Sequence, residues 1–561
     1  MNSYFDALGL TLNSDSSLAT ARRTVLESTP WNPTPTTHVS YVAANRLLIV
    51  GNAEQAAKTK SLLPDKIVVY VAVPNDRSKV SMELNTHNCA DLTVDGYLGR
   101  FEVHIDSTSD DSKTDENNLA LILGIQSGVF DQVLDFSESP LINAAIKPPG
   151  YYHLNSIEEG DLAFDTCIEN IPELIGEFEK PKFFNYNPDI CAHGRSGISG
   201  CTNCLDACPT DAIISIGEQI EVNPHLCQGG GSCTARCPTG AITYLYPKAE
   251  EQLELLRKLI IEFRKAGAPD IELLIFDSEN SLDDVTSISE NLADHVLPFI
   301  VEEIGSVGLD LLIPALVWGA DRIRLYVPED IAPPVQKAIQ TNCEIVDSFL
   351  TELGLNNDGN RVVEIISSLS QLDSQQGVQS LLAQHDSFAP IGNKRTTIRS
   401  GILHLYKQSD QSPETISLPD SAPFGKVLLE DSKCTLCMGC VSVCPASALQ
   451  AGGESPALKF IESNCVQCGI CSRACPESAI TLQAGYNLEA QNSSQPVALK
   501  EEEAFRCISC GKPFATKAMI SRMTEKLSGH WMFEKPQALN RLQMCEDCRV
   551  ADMFKEEGLG A

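Results

Sequence analysis

The chain has 561 residues, 22 cysteines and a formal net charge of −33 at pH 7. So acidic a surface repels phosphate groups, which argues against nucleic acid and anionic membranes as partners. The length predicts roughly three to five domains, and without a run of about 20 apolar residues we expect no membrane span. Nineteen cysteines stand in closely spaced runs or pairs typical of metal ligands, which favours a reducing, cytoplasmic location.

Residues 1–180 predict an α/β domain without a cofactor. The first 37 residues are polar and proline-containing, so we expect loose order apart from a short helix near 17–27. A strand at 46–50, a turn and helix from Gly51, and a strand at 66–71 form a βαβ-like stretch. Gly51 stands alone, so the G-x-G-x-x-G fingerprint is absent and a bare scaffold is favoured over a dinucleotide-binding unit. The pattern predicts further strands at 97–105, 119–123 and 132–136, an end to the sheet at 148–152, and an acidic helix at 169–180.

Residues 181–247 contain seven cysteines, two of them in Cys-Pro steps: Cys191, Cys201, Cys204, Cys208, Cys227, Cys233 and Cys237. Each Cys-Pro step is followed by a phrase of small residues, and the phrase recurs after two later Cys-Pro steps, at 209–213, 238–242, 445–449 and 476–480. An internal repeat of this kind indicates duplicated units. Each unit is expected to contain a metal-binding loop, a short helix and a strand, paired about a pseudo-twofold axis.

Residues 248–405 predict a second α/β domain. A helix at 249–266 is followed by strands at 271–276, 323–327 and 361–366 and helices at 281–294, 299–318 and 332–353. This alternation favours a small parallel sheet. Residues 406–425 and 487–500 are expected to be linkers. Three cysteines outside the runs, Cys89, Cys167 and Cys343, are interpreted as small buried apolar residues.

Residues 426–486 hold an intact cysteine pattern, C-x2-C-x2-C-x3-C-P, written twice. A cubane cluster needs four thiolates; three come from one loop, and the fourth cysteine of the run ligates the other cluster. The spacing therefore predicts one [4Fe–4S] cluster on Cys434, Cys437, Cys440 and Cys475. A second is expected on Cys465, Cys468, Cys471 and Cys444. Paired zinc knuckles are disfavoured, because zinc sites take their four ligands in pairs.

The same rule applied to the first run predicts one complete and one incomplete site. Cys191, Cys201, Cys204 and Cys237 are expected to hold a [4Fe–4S] cluster, despite a nine-residue insert after Cys191. The other site has three thiolates, Cys208, Cys227 and Cys233, because position 230 is glycine. A [3Fe–4S] cluster is expected there, or a [4Fe–4S] cluster with one iron open to water, to a residue such as His225, or to a partner's group.

Residues 501–561 carry two C-x2-C pairs, Cys507 with Cys510 and Cys545 with Cys548. Four thiolates in two pairs predict a tetrahedral metal site with a structural role. Zinc is favoured, a rubredoxin-like iron comes second and another cluster third. The segment 515–527 has a helical pattern, so the tail is expected to be a small helix-bearing knuckle.

The cysteine runs at 434–475 resemble those of bacterial-type two-cluster [4Fe–4S] ferredoxins. The order of a ferredoxin module, an α/β segment, a second module and a CxxCGKPF tail is also similar to the cytoplasmic iron–sulfur proteins that accompany formate dehydrogenases. The resemblance implies a formate dehydrogenase or another molybdenum enzyme as a redox partner. The expected fold class is a multidomain α/β and α+β chain with two ferredoxin-type dicluster modules, two α/β regions and a four-cysteine knuckle tail.

These patterns favour a polyferredoxin-like electron carrier with three [4Fe–4S] clusters, one [3Fe–4S] or open-corner [4Fe–4S] cluster, and zinc or iron in the tail. The sequence contains no evident serine–base pair, phosphate-binding loop or paired carboxylates, so whether the chain is itself an enzyme stays open. Two alternatives remain. One is a maturation or assembly factor for a metalloenzyme, and the other is an iron–sulfur subunit of a flavin or NAD oxidoreductase.

Overall fold

The structure is a computed structural model, and its main parts are two parallel sheets and two cysteine-rich modules. It describes residues 3–12, 15–74, 85–89, 92–105, 115–155, 157–158, 160–356, 361–372, 380–390, 392–453, 456–492, 494–533 and 536–556. Residues 106–114 and the side chain of Cys89 lie outside this description. No described helix is long and apolar enough to cross a membrane.

The N-terminal segment packs on the second α/β domain. Its helices, Tyr4–Leu8 and Ser17–Ser28, begin after the N-cap serines Ser3 and Ser16. The backbone N–H of Ile300 donates to Tyr4 Oη at 2.8 Å, and the Arg22 guanidinium donates to two carbonyls of the same region. The helix expected near 17–27 is confirmed. The loose order expected around it is wrong, because apolar side chains of both helices enter a shared core.

The first parallel sheet has five strands, in the spatial order Asn85–Cys89, Val68–Pro74, Arg46–Val50, Gln132–Asp135 and Tyr151–His153. Its helices are Ala53–Leu62, Leu119–Ile122 and Leu162–Glu173. Two antiparallel pairs flank it, Leu92–Tyr97 with Arg100–Ile105 and His38–Ala43 with Gly176–Pro181. The βαβ unit begins as expected at 46–50, and the second pair joins the two ends of the domain.

Three expectations for this domain are wrong. Residues 119–122 form a helix, because the Asn118 side chain accepts a hydrogen bond from the Leu121 N–H and caps its first turn. The helix expected at 169–180 lies earlier, from Asp161 as N-cap to Glu173, and is followed by the strand Gly176–Pro181. The sheet also does not end before 151, since Tyr151–His153 adds its fifth strand.

The second parallel sheet has four strands, in the order Val296–Val301, Glu272–Asp277, Arg322–Tyr326 and Val363–Ile366. Its helices are Ala249–Lys265, Leu282–Ile288, Leu309–Trp318, Pro333–Glu352 and Lys394–Gln408. The expected parallel sheet is confirmed. The helix expected at 299–318 is wrong in its first half, because Phe299 pairs with Ile275 inside the sheet and the α-helix begins only at Leu309. The helix Lys394–Gln408 is not predicted by the sequence pattern.

The two cysteine-rich modules repeat one design. The first contains the strands Phe184–Tyr186, Gly194–Arg195, Ile198–Ser199, Ile213–Ile216, Gln219–Val222 and Ile242–Tyr244, and the helices Asn203–Asp206 and Ser232–Arg236. The second contains the strands Thr415–Ile416, Gly425–Leu429, Leu449–Ala451, Ala457–Phe460, Ile480–Ala484 and Tyr486–Asn487, and the helices Gly439–Ser442, Ile470–Arg473 and Leu488–Asn492. In the first module Phe184–Tyr186 pairs with Ile242–Tyr244, and Ile213–Ile216 forms a hairpin with Gln219–Val222. In the second module Gly425–Leu429 pairs with Ile480–Ala484, and Leu449–Ala451 forms a hairpin with Ala457–Phe460.

The tail is attached to the second module by a strand. Val497–Glu501 pairs with Ala457–Phe460, so the segment 487–500 holds a helix and a strand and is not the simple linker that was expected. The hairpin Ala504–Arg506 with Pro513–Thr516 and the helices Lys517–Leu527, Pro536–Leu542 and Glu546–Glu556 follow. The helix expected at 515–527 is confirmed.

Candidate metal centres

Three of the four loops that carry the cysteines of the two modules share one backbone conformation. In the loops that begin at Cys434, Cys465 and Cys227, the residues two and four positions after that cysteine have a positive φ, between 54° and 90°. They are Leu436 and Met438, Gln467 and Gly469, and Gly229 and Gly231. Successive residues of this kind turn backbone N–H groups towards an anion. The position between them is Cys437, Cys468 or Gly230. Gly230 therefore occupies the place of a cysteine.

The four Cys-Pro phrases also share a conformation, as the internal repeat predicts. The third residue of each phrase has positive φ, namely Asp211, Gly240, Ser447 and Ser478. The resulting turns place hydrogen-bond donors beside the cysteine sulfurs. Backbone N–H groups donate at 3.3 Å to Sγ of Cys444 and Cys475. Hydrogen bonds to sulfur stabilise a thiolate and tune a metal bound to it.

In the second module the cysteines line two cavities. One is lined by Cys434, Cys437, Cys440 and Cys475 and is walled by Leu436, Leu458 and Ile480. The other is lined by Cys444, Cys465, Cys468 and Cys471 and is walled by Val427, Leu449 and Phe460. We name these groups of thiols site 4 and site 3. The structure thus brings together the two crossed sets that the spacing predicts.

In the first module the two ligand sets that the spacing predicts consist of thiols that interact with one another. Burial raises the pKa of Cys204, and the neighbouring thiols of Cys201, Cys237 and Cys191 raise it further. We name these four cysteines site 2. Burial also raises the pKa of Cys233, and the neighbouring thiols of Cys227 and Cys208 raise it further. We name these three cysteines site 1. Burial favours the neutral thiol at Cys204 and Cys233, whereas a bound metal ion would hold these groups as thiolates. The donor sets therefore fit iron–sulfur clusters.

His225 does not need a ligand role to explain its position. Its ring stacks on Tyr97 with the centroids 4.2 Å apart and meets Tyr41 edge-on. The Tyr41 hydroxyl donates to the His225 carbonyl at 2.6 Å. Burial lowers the pKa of the imidazole. These contacts give the ring a packing role, and His225 loses support as the fourth ligand of site 1.

The tail brings its four cysteines to the spacing of a single ion. The Sγ atoms of Cys507, Cys510, Cys545 and Cys548 all lie within 4.8 Å of one another. Cys510 is exposed, whereas Cys507 and Cys545 are buried. The Ser509 N–H donates to Cys507 Sγ at 3.4 Å. Four thiolates at this spacing fit a tetrahedral zinc or a single iron, and this group is the tail site.

The sites of the two modules meet across a close contact. A Cβ atom added at Gly200 would lie 2.6 Å from Ile470 Cδ1, so the Ile470 side chain packs directly on the Gly200 backbone. The Arg473 guanidinium donates to the carbonyls of Gly200 and Cys468 at 3.3 and 3.1 Å. Burial raises the pKa of Cys201 to about 12, and the Cys468 thiol adds to the shift. Sites 2 and 3 are therefore neighbours.

Electrostatic interactions between thiols connect the remaining sites of the two modules. The Cys233 thiol of site 1 is close enough to Cys204 and Cys237 of site 2 for each to raise its pKa. Cys440 of site 4 has the same effect on the pKa of Cys471 of site 3. The tail is fixed to the second module by a hydrogen bond of 3.0 Å, which Thr516 Oγ1 donates to the carbonyl of Thr435, the residue after Cys434. The groups follow one another in the order site 1, site 2, site 3, site 4.

Two protein-family models match the chain. Both describe a 4Fe-4S dicluster domain; one matches residues 184–251 and the other residues 433–479. No curated protein matches the chain. The matched ranges contain all the cysteines of sites 1 to 4, and they confirm the resemblance to ferredoxins found in the sequence. The chain is therefore an iron–sulfur protein with two ferredoxin-type 4Fe-4S dicluster domains.

Proposed function

We propose that the chain carries electrons along a row of four iron–sulfur sites, in the manner of a polyferredoxin. One observation carries the proposal: the ligand loops of the two modules touch where Ile470 packs on Gly200, which makes sites 2 and 3 neighbours. When bound, the clusters supply one-electron oxidation and reduction. Two separate ferredoxin modules would not need this contact.

The residues around the sites support this role. Apolar side chains wall sites 3 and 4, among them Leu458, Phe460 and Ile480, all at most 5% exposed. Such a wall keeps water away from the thiolates, so few dipoles must reorient when the charge at a site changes. Cys437 of site 4 is exposed, which gives an electron a short route to the surface.

The ligand sets predict the metal content. We propose [4Fe–4S] clusters in sites 2, 3 and 4, and a [3Fe–4S] or open-corner [4Fe–4S] cluster in site 1. With a three-iron cluster in site 1, these add up to about 15 Fe per chain. The tail site holds about one Zn, or an iron in its place. Metal analysis of anaerobically purified protein tests these numbers, and iron for only two clusters would exclude a working first module.

The layout of the chain supports a formate dehydrogenase or another molybdenum enzyme as the redox partner. With a net charge of −33, the chain is expected to dock on a basic surface. Binding should then weaken steeply as salt rises. A pull-down of a molybdenum enzyme at low salt, lost at high salt, is the expected result. Binding that is indifferent to salt would contradict this mode of docking.

A cysteine substitution in the second module tests the electron path. Cys440→Ser removes one ligand of site 4, and we expect the rate of transfer from dithionite to an external acceptor to fall at least tenfold. Cys343→Ser is the matched control, because Cys343 is a buried cysteine of the helix Pro333–Glu352 that belongs to no site. Equal rates in both variants would mean that site 4 is outside the path.

A maturation or assembly factor is the second candidate. The observation that favours it is the three-thiolate site 1, where Gly230 stands at a ligand position. A cluster bound there would have a corner without a protein sulfur, as a cluster donor requires. Binding to the metal-free form of a molybdenum enzyme, with no electron flow to the loaded form, would favour this function over electron transfer.

A further inference from the structure

Three basic side chains bind the cysteine loops from outside in the same way. Lys180 Nζ donates to the carbonyl of Cys227 at 2.7 Å, Arg395 to that of Cys465 at 3.0 Å, and Lys500 Nζ to that of Cys434 at 2.9 Å. Each recipient is the first cysteine of its loop. Each cation also donates to a carbonyl two or three residues earlier.

The three cations come from unrelated elements. Lys180 lies in the strand Gly176–Pro181, Arg395 in the helix Lys394–Gln408, and Lys500 in the strand Val497–Glu501. None belongs to the repeated cysteine units, so duplication of those units does not explain the shared position. A common requirement of the loops explains it better.

The cations differ in their counter-charges. Lys500 forms ion pairs with Glu502 and Asp431, at 2.8 and 3.5 Å. Within the described part of the chain, no carboxylate pairs with Lys180 or Arg395, and these two lie against the rings of Tyr41 and Phe424 instead. A partly buried cation without a counter-ion is costly. The cysteines whose carbonyls Lys180 and Arg395 bind are Cys227 of site 1 and Cys465 of site 3, so the thiolates of a loaded site would be the anionic groups beside these two cations.

We propose that Lys180 and Arg395 raise the reduction potentials of sites 1 and 3, as the charge partners of those sites, whereas the charge of Lys500 is already offset. The inference rests on the proposed electron-transfer function. Reduction adds a negative charge to a site, and a nearby uncompensated cation stabilises that charge. Removing the cation therefore lowers the potential of its own site.

Redox titration of the full-length protein, followed by EPR, tests the inference. Lys180→Gln and Arg395→Gln remove the charge but keep an N–H donor, and Lys500→Gln is the matched control. At the wild-type midpoint, the ratio of reduced to oxidised site should fall at least tenfold at site 1 and site 3 respectively, which is 59 mV for a one-electron couple. Site 4 should change less than threefold in Lys500→Gln.

The charge-conserving variants Lys180→Arg and Arg395→Lys should keep the midpoints within a threefold ratio. If a glutamine variant loses its iron, the charge-conserving variants provide the test. A midpoint in either of them that differs from the wild-type value by more than this ratio overturns the inference. Unmoved midpoints in both glutamine variants with full iron content overturn it as well. A wild-type protein without any reducible iron–sulfur signal would instead contradict the proposed function, so the two failures are distinguishable.

Discussion

Replacing Gly230 by cysteine should complete the ligand set of site 1. Gly230 has a φ outside the left-handed region, whereas its neighbours Gly229 and Gly231 have φ of 90° and 72°. A Cβ at position 230 would lie 3.6 Å from Pro209 Cγ, an ordinary van der Waals contact. The new side chain therefore escapes the strain of about 1–2 kcal/mol that a left-handed residue would carry.

The expected result is a change of cluster type. A [3Fe–4S] cluster has an odd-electron oxidised state, so oxidised wild-type protein should give an EPR signal that the [4Fe–4S] sites do not give. Gly230→Cys should remove this signal, add about one iron per chain, and lower the potential of site 1, because a fourth thiolate adds negative charge. EPR spectra and iron analysis of anaerobic protein measure all three.

Gly229→Cys is the matched control. A Cβ there would lie 2.9 Å from the ring of Phe183, and the backbone is left-handed, so the thiol cannot be accommodated without strain. This variant should keep the oxidised signal or lose the cluster. If Gly230→Cys keeps both the wild-type signal and the wild-type iron content, the equivalence of position 230 with Cys437 is wrong. A silent wild type with four irons in site 1 would leave the open-corner cubane.

Three further predictions concern other parts of the chain. Burial and neighbouring carboxylates raise the pKa of Glu303 to about 8, so its contribution to stability, complete below about pH 4.5, is lost as the pH rises to about 8. Glu303→Gln should thus add on the order of 2–4 kcal/mol at pH 9 and nothing at pH 4, measured by urea unfolding with the buried Trp318 as fluorophore; equal gains at both pH values would refute it. Ile470→Ala should weaken the contact between the modules by about 2–5 kcal/mol, lower the urea midpoint and slow transfer between sites 2 and 3. Cys545→Ser should remove about one zinc from the tail while the iron content is unchanged, and metal analysis decides this.

The cysteine chemistry was predictable because ligand spacing is local. A cubane fixes the separation of its thiolates, so Cys434, Cys437 and Cys440 reveal a shared site from sequence alone. Gly230 could be recognised as a missing ligand for the same reason. The order of the sites was not predictable, since it depends on Ile470 meeting Gly200, a contact between residues 270 positions apart.

The misassigned segments have local patterns that tertiary contacts override. The segment 299–318 begins and ends in apolar runs, at 299–301 and 311–318. An apolar run without clear periodicity does not separate a buried strand from a buried helix. Lys180 and Arg395 could not be singled out as partners of the cysteine loops. Nothing in the sequence distinguishes them from other basic residues, and their distance from the loops is set by the packing of whole domains.

The attachment of the N-terminal helices to the second sheet has a consequence for synthesis on the ribosome. Tyr4 and Ile300, which share a hydrogen bond, are 296 residues apart. At about 5–20 residues per second, the N-terminal helices wait roughly 15–60 s for their partner strand. Meanwhile the domain between them can close on itself through the pairing of His38–Ala43 with Gly176–Pro181. During that interval Tyr4, Leu8 and Leu26 have no core to pack against, and these exposed apolar side chains are a binding site for a nascent-chain chaperone.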